Sequence, residues 1–276
     1  MSNMELDTSF ALVISTCENY SDLWEANLLL LRRSWSDCPA RIFLVTDAPT
    51  DRHFENVELI SAGEGTEITD RLKHALKSVE ERYILFTLDD YFLTYPIRTE
   101  RILQGLRFME KHDVAYTRLY PATKHYLRRE GAQPCADFEG YYFRNMEEGD
   151  YKISLAPGLW RTDFMRRTVN KSLNAWQYEV ALTPMARELG VRCAISNHNE
   201  FPYLDVIRKG RVLRKADRYF KSNPIYSSQR PVMKRRDEWK LGIRTWLRHT
   251  LPKGVFKCVK KTMVKHGHQY YSSVQD

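Results

Sequence analysis

The sequence predicts an α/β fold in which a mainly parallel sheet is flanked by helices. Residues 10–16 form an apolar run, and a polar turn and an amphipathic stretch follow it, in the strand–turn–helix order of a nucleotide-binding unit. Residues 83–88 are apolar apart from Thr87, as expected of a strand buried on both faces. Predicted strands and helices then alternate along most of the chain, and this alternation favours parallel strands.

The predicted elements can be placed in order from periodicity and from turn residues. Strands are expected at residues 10–16, 39–47, 56–60, 83–88, 113–118, 154–160 and 191–195. Helices are expected at residues 21–35, 67–79 and 98–112, after a cap at Thr162 or Asp163, and at 174–189, where Gly190 ends the last one. Residues 119–150 lose all periodicity, and an irregular stretch of this length is usually functional or mobile.

Two adjacent carboxylates, Asp89 and Asp90, stand where the buried run 83–88 ends. In an open α/β sheet the strand ends face the ligand crevice, so carboxylates there can hold a metal ion that binds phosphates. The alternative is that one of them caps the turn after the strand. Like charges side by side repel unless a cation lies between them, which favours the functional interpretation.

Composition and cysteine content indicate a soluble globular protein in a reducing compartment. The 276 residues suit one large domain with an appendage, and no apolar run approaches the ~18 residues of a membrane span. The first residues show neither a basic start nor an apolar run, so no signal peptide is expected. Five cysteines without paired spacing argue for the cytosol and against a zinc site or a disulfide framework.

The net charge of +8 belongs to the end of the chain. Residues 228–276 carry twelve basic and three acidic side chains, and the body is nearly neutral, so we expect a domain at 1–221 and a basic segment at 222–276. Apolar and basic residues interleave from 233 to 265, a pattern that suits an anionic membrane surface. A helix packed on the body with a solvated basic face fits equally well.

Four segments together resemble bacterial glycosyltransferases of the GT-A fold that assemble capsule and O-antigen (lipopolysaccharide). They are Ser15-Thr16-Cys17, Leu88-Asp89-Asp90, the segment 154–160 and the Trp176-Gln-Tyr-Glu179 pattern. The resemblance covers roughly residues 10–215. It implies a Rossmann-like GT-A fold and transfer of a sugar from a nucleotide diphosphate sugar to a saccharide or lipid-linked acceptor. It also implies inversion and a divalent metal (Mn²⁺ or Mg²⁺). From this resemblance, together with the cysteines and the basic segment, we expect a cytoplasmic location, peripheral to the inner face of the membrane.

The resemblance also implies roles for particular residues. Asp90 would be the principal metal ligand with Asp89 beside it, although this sequence lacks an acid two positions before Asp90. His198 would approach the metal or the diphosphate from the far side. The donor nucleotide and its diphosphate would contact Ser15, Thr16, Asp22, Arg71, Asp89, Arg208 and Lys209.

Glu179 would be the catalytic base under the same resemblance. An inverting transfer needs one carboxylate to take the proton from the acceptor hydroxyl as that hydroxyl attacks the anomeric carbon. Trp176 lies one helical turn earlier, where it can stack on the acceptor sugar, and Trp160 is the second expected acceptor contact.

Two other functions fit parts of the sequence. A basic tail can bind nucleic acid, but the body is neutral and no nucleic-acid module is recognisable, so no nucleic-acid partner is expected. A phosphotransferase would use Asp89 as its nucleophile, but such enzymes usually place a second Asp two residues on, and position 91 is Tyr. No Gly-x-Gly-x-x-Gly or Gly-Lys-Ser/Thr motif follows the first strand, so neither a dinucleotide site nor an ATPase loop is expected.

Overall fold

The computed structural model describes residues 9–147, 149, 151–239 and 242–243. The chain divides into two compact units, Met1–Leu204 and Asp205–Asp276. The division falls earlier than the predicted boundary at residue 222. The reason lies within the second unit, where Val212 exchanges backbone hydrogen bonds with Pro231 and Met233, so that residues before 222 fold together with those after it.

A nine-stranded mixed sheet forms the centre of the first unit, in the order β3-β2-β1-β4-β9-β6-β10-β8-β7. Its strands are β1 (Phe10–Ser15), β2 (Arg41–Thr46), β3 (Val57–Ser61), β4 (Tyr83–Leu88), β6 (Val114–Arg118), β7 (Gln133–Pro134), β8 (Tyr141–Phe143), β9 (Gly158–Arg161) and β10 (Arg192–Ser196). Two shorter strands, β5 (Tyr91–Leu93) and β11 (Tyr203–Asp205), pair separately. The strands β1 to β4, β6 and β10 run in one direction, and β9 runs against β4 and β6. The predicted mainly parallel sheet is confirmed.

Helices cover both faces of this sheet. They are α1 (Trp24–Ser34), which follows a 3-10 helix over Glu18–Leu23, α2 (Ile68–Ala75), α3 (Thr99–His112), α4 (Lys124–Arg129), α5 (Thr162–Thr168) and α6 (Ala175–Glu188). Alternate residues of β1 enter different cores: Leu12 packs in the cluster that includes α1 and α3, and Val13 in the cluster that includes α2, α5 and α6. Burial on both faces explains why β1 and β4 are apolar throughout.

Two sequence predictions about local structure need correction. Neither Thr162 nor Asp163 caps helix α5, because the helix begins at Thr162 and its N-cap is Arg161. The Thr162 hydroxyl donates to the carbonyl oxygen of Glu81 at 2.7 Å. Residues 119–150 contain α4, β7 and β8, whose two to six residues are too few to show a period. Gly190 ends α6 as predicted, with a φ of 64° that suits glycine.

The order in which the chain adds strands to the sheet reverses beside β1. The chain builds β2 and β3 on one side of β1 and then returns to its other side as β4. In open α/β sheets the ligand crevice lies outside the carboxyl ends of the strands at such a switch point. Ser15 pairs with Leu88 there, so the residues that follow β1 and β4 are neighbours.

The second unit begins with a β-hairpin of β12 (Ile207–Arg208) and β13 (Arg211–Val212), followed by α7 (Arg214–Ser222). Lys209 and Gly210 form the two-residue turn with φ of 52° and 69°, as primed hairpin turns require. Most of the predicted membrane-binding segment 233–265 lies outside the described residues. Within the described part of the chain, none of the helices has the length and apolar character needed to cross a bilayer.

Candidate active site

Asp89 lies buried at the switch point, with only 7% of its surface exposed. The Thr16 hydroxyl donates a hydrogen bond to Asp89 Oδ2, and the indole Nε1 of Trp24 donates to Thr16 Oγ1 at 2.6 Å. An indole nitrogen can only donate, so Thr16 Oγ1 accepts from Trp24 and keeps its own hydrogen for Asp89. Asn27 Nδ2 adds a bond of 2.9 Å to the Asp89 carbonyl oxygen. These bonds fix the end of β4 against the end of β1 and against α1.

Burial raises the pKa of Asp89 to about 7, although the Thr16 hydrogen bond, nearby backbone N–H groups and the charge of Arg71 all act to lower it. The carboxyl group therefore changes charge near neutral pH. Its contacts are those of a turn anchor, which was the alternative that the sequence left open. Asp90, the next residue, is half-buried and follows the same strand end.

The free energy of unfolding of the metal-free protein is expected to depend on pH because of the raised pKa of Asp89. The carboxyl of Asp89 ionises at about 3.8 when unfolded and at about 7 when folded, so the folded state binds more protons between these values. Asp89 should then destabilise the fold increasingly as pH rises from 4 to 7, by about 1.4 kcal/mol per pH unit. The measurement is urea unfolding of the natural chain and Asp89→Asn in EDTA. The natural chain should lose stability relative to the variant over this range, and parallel curves would contradict the prediction.

Further polar groups come together beside Asp89. Burial is the main cause that raises the pKa of the Cys17 thiol to about 11; the negative charges of Asp89 and Asp47 add to it, and Arg71 opposes it. Asp47 follows β2 and accepts the backbone N–H of Glu18 at 2.7 Å. The ends of β1, β2 and β4 thus lie close together, and the positive charge of Arg71 partly offsets the negative charge of the acidic side chains there. Asp47 was not among the site residues predicted from the sequence, although it ends the strand predicted at residues 39–47.

The predicted nucleotide contacts occupy different positions around this edge. Arg71 extends from α2, where its Nη1 donates to the Thr66 carbonyl oxygen at 2.6 Å and its buried Nε has no hydrogen-bond partner in the described part of the chain. Thr16 is buried and bonded to Asp89, and Ser15 is buried inside the end of β1. Asp22 is exposed on the 3-10 helix.

The side chain of Glu179 forms a hydrogen bond near the same strand ends. Its Oε1 accepts the backbone N–H of Leu155 at 2.8 Å. Leu155 lies in the segment that enters β9, and Gly158, the first residue of β9, pairs with Phe86 of β4. The side chain predicted to be the base therefore reaches the segment beside the strand end that carries Asp90.

The two tryptophans predicted to bind the acceptor differ in environment. Trp176 is 56% exposed in the first turn of α6, one turn before Glu179, and Asn174 caps this helix by accepting the Gln177 N–H at 3.0 Å. Trp160 is fully buried. It lies in β9 with its ring against Phe86, Tyr116 and Phe164. The prediction that Trp160 stacks on a sugar is wrong, because β9 is an interior strand.

Arg118, which the sequence analysis did not select, ends β6 and is only 7% exposed. Its Nε donates to the Tyr120 carbonyl oxygen at 3.2 Å, and its guanidinium lies 4.1 Å from the Tyr120 ring centroid and 5.4 Å from that of Tyr126. No carboxylate among residues 9–147, 149, 151–239 and 242–243 forms an ion pair with it. A cation buried without an acid is costly, so an anionic ligand would stabilise it.

Tyrosines accompany Arg118 and Asp90. The ring of Tyr203 lies 4.4 Å from that of Tyr91 and 6.1 Å from that of Tyr120, measured between centroids. Tyr91 directly follows Asp90, and all three side chains are half-buried. Aromatic faces with hydroxyl groups suit contacts with a sugar ring.

The remaining predicted residues make other contacts. His198 Nε2 lies 2.7 Å from the Glu139 carbonyl oxygen, and its ring packs 5.6 Å from that of Tyr141. His198 lies two residues after β10, which stands three strands from β4, or roughly 14 Å at ordinary strand spacing. Arg208 and Lys209 belong to the second unit, where Arg208 donates to Asp205 Oδ2 at 2.6 Å and Lys209 forms the hairpin turn.

Comparison with known proteins leaves the family open. No protein-family model matches the chain, and no curated protein matches it. Solved structures with partial likeness include S. aureus TarS 1-349, at 17% identity over 69% of this chain and 58% of that one, with a TM-score of 0.46. The same fragment in complex with UDP-GlcNAc shows 14% identity over 74% and 60% of the two chains, with a TM-score of 0.47.

A protein of a different kind scores similarly. The bifunctional IspDF from Campylobacter jejuni has 14% identity over 72% of this chain and 52% of that one, with a TM-score of 0.44. The chain thus spans between half and two thirds of each of these three structures. At such identities and TM-scores the likenesses assign no activity, and the function is argued from the site.

Proposed function

We propose that the chain is a glycosyltransferase that moves a sugar from a nucleotide diphosphate sugar to a saccharide acceptor. The observation that carries the proposal is that two carboxylates, Asp90 and Glu179, lie toward the same ends of the strands. Asp90 follows the strand at the switch point, and Glu179 is bonded to the segment next to that strand. The first would face the donor's diphosphate and the second would handle the acceptor's proton. A lipid-linked surface polysaccharide is the acceptor we propose.

A divalent metal fits this edge through oxygen ligands, which Mg²⁺ and Mn²⁺ prefer. Asp89 Oδ2 accepts the Thr16 hydroxyl, so Asp90 would be the principal ligand and Asp89 would hold the strand end in place. A bound metal would offset the charge of the departing diphosphate. His198 bonds to Glu139 and does not enter the metal site that we propose.

Glu179 would act as the base of an inverting reaction. Its carboxylate takes the proton of the acceptor hydroxyl while the hydroxyl oxygen bonds to the anomeric carbon and the bond from that carbon to the diphosphate breaks. The hydrogen bond from the Leu155 N–H fixes the orientation of the carboxylate. The exposed ring of Trp176, one turn away, offers a face to the acceptor.

Positive charge for the donor's phosphates would come from arginines. Arg71 lies close enough to Asp89 and Cys17 to affect the pKa of both, and this supports a role for its charge beside the donor's phosphates. Arg118 is held between two tyrosine rings at the end of β6. Such charges stabilise a leaving diphosphate.

The alternatives have weaker support. A phosphotransferase needs a nucleophile that phosphorus can approach in line, whereas Asp89 is buried and its Oδ2 accepts the Thr16 hydroxyl. Nucleic-acid binding would depend on the basic tail, most of which lies outside the described residues. We propose instead that residues 233–265 hold the enzyme on the anionic cytoplasmic face of the membrane.

A donor screen tests the proposed function. The natural chain is titrated with sugar nucleotides, beginning with UDP-GlcNAc, by calorimetry with Mn²⁺, with Mg²⁺ and with EDTA. We expect one donor to bind and to be hydrolysed slowly in the presence of metal. The same sugars without the nucleotide serve as the control and should not bind. Failure of every sugar nucleotide to bind would overturn the function.

A further inference from the structure

Three side chains that the proposed function does not use meet at the end of α3. His112 is the last residue of that helix, Cys135 follows β7 directly, and Asp137 lies two residues further on. The Cys135 Sγ lies 3.0 Å from Asp137 Oδ1 and 3.5 Å from His112 Nε2. The third side of this triangle, from His112 Nε2 to Asp137 Oδ1, measures 3.0 Å.

We propose that His112, Cys135 and Asp137 form a zinc-binding site. In tetrahedral zinc sites the metal lies about 2.3 Å from sulfur and about 2.0–2.2 Å from nitrogen or oxygen, so neighbouring ligand atoms are about 3.4–3.6 Å apart. The Sγ–Nε2 distance already matches. The two distances to Oδ1 have to widen by about half an ångström, which a rotation of the exposed Asp137 side chain supplies.

The surroundings orient the three ligand atoms toward one another. Lys111 Nζ lies 2.5 Å from Asp137 Oδ2 and leaves Oδ1 on the side of the cluster. The rings of Phe108 and Phe138 pack 5.3 Å and 5.7 Å from the His112 ring, so the imidazole has little freedom to turn. Ligands that are oriented before the metal arrives lose less entropy on binding.

One side of the cluster is buried and the other is open to solvent, so a metal ion can reach the three ligand atoms. Cys135 is buried, and the Asp137 side chain is 39% exposed. A metal can therefore enter from the Asp137 side, and water can fill the fourth position. On binding, a zinc–sulfur bond forms and the thiol proton leaves to solvent, so the hydrogen bond from Cys135 to Asp137 is replaced by two bonds to the metal.

The ligand types select the metal. A thiolate and an imidazole suit zinc, whereas Mg²⁺ and Mn²⁺ prefer oxygen atoms alone.

The cluster is also remote from the strand-end acids. Phe86 of β4 and Arg118 of β6 both pair with Gly158, so they lie at the same level in the sheet. His112 precedes β6 and Asp89 follows β4, so these two residues lie toward opposite ends of the strands, roughly 20 Å apart. The zinc would join α3 to the β7–β8 connection and take no part in the proposed reaction.

Metal loading of the full chain, purified without a histidine tag, tests the site. After equilibration with Zn²⁺ and removal of the unbound ion, we expect about one zinc per chain by elemental analysis. Co²⁺ in its place should give the near-ultraviolet charge-transfer band that only a thiolate ligand produces. Zinc should also raise the Tm. A natural chain that shows no cobalt–thiolate band would overturn the proposal.

Matched variants show which residues bind the metal. His112→Gln and Cys135→Ser should each weaken zinc binding by at least about tenfold and remove the rise in Tm. His74→Gln, in the last turn of α2, and Cys38→Ser, at a half-buried cysteine, should leave both unchanged. His112 is near the surface, so its variant still tests the site if Cys135→Ser fails to fold. Zinc binding that survives His112→Gln at full affinity would disprove the assignment.

Discussion

Asp90→Asn is expected to lower donor turnover by at least about a hundredfold, because it removes the charge that would hold the metal and its diphosphate. Asparagine keeps the size and the polar atoms of the side chain, so the fold should remain. The buried anchor of the strand end is the neighbouring Asp89, whose bonds to Thr16 and Asn27 the substitution does not touch. The loss should therefore appear in turnover and in metal-dependent donor binding, with little change in the free energy of unfolding.

The measurement is the release of nucleotide diphosphate from the donor found in the screen, at a series of Mn²⁺ concentrations. Asp113→Asn is the matched control. Asp113 is an exposed carboxylate at the opposite end of the strands, and its φ of 50° is one that asparagine tolerates. It should keep full activity. Equal activity in Asp90→Asn and the natural chain would remove Asp90 from the site.

Glu179→Gln is expected to lower kcat by about 10²–10⁴-fold, the usual worth of a general base. Glutamine keeps an oxygen that can accept the Leu155 N–H, so the segment before β9 should hold its place. Donor affinity should stay within about twofold, because the base acts on the acceptor and binds no phosphate. The expected signature is a fall in kcat without a matching change in the donor's Kd.

Steady-state turnover and calorimetric donor binding, measured on the same preparations, separate these two effects. Glu188→Gln provides the control, since Glu188 is an exposed acid in the last turn of the same helix. A variant at Glu179 that keeps its kcat would refute the base assignment. A parallel loss of donor affinity would indicate that Glu179 contributes to donor binding, which contradicts the proposed role.

The sequence predicted the sheet well because its central strands are buried on both faces. A run such as Tyr83–Leu88 must be apolar throughout, and the residues after it must then lie at the strand end. The position of Asp89 and Asp90 at a strand end follows from that rule, whereas the switch point depends on the order of the strands in the sheet. Asp47 and Arg118 also end predicted strands, so the same rule applies to them.

Features that depend on long-range contacts escaped prediction. Trp160 was expected to contact the acceptor because the segment 154–160 resembles that of the glycosyltransferases, but nothing local shows that β9 inserts between β4 and β6. The approach of His112 to Cys135 depends on how the irregular stretch folds back onto α3. Cysteine spacing alone, which predicted no zinc site, carries no information about this approach.

The insertion of β9 also has a consequence for the order of folding. The neighbours of β9 in the sheet are made about forty and about seventy residues earlier in the chain, so the two halves of the sheet stay unjoined until residues 158–161 arrive. That late pairing also delivers Leu155, and with it the docking point of Glu179. An emerging or partly folded chain would hold Asp90 without its catalytic partner, and donor hydrolysis should begin only when the sheet is closed.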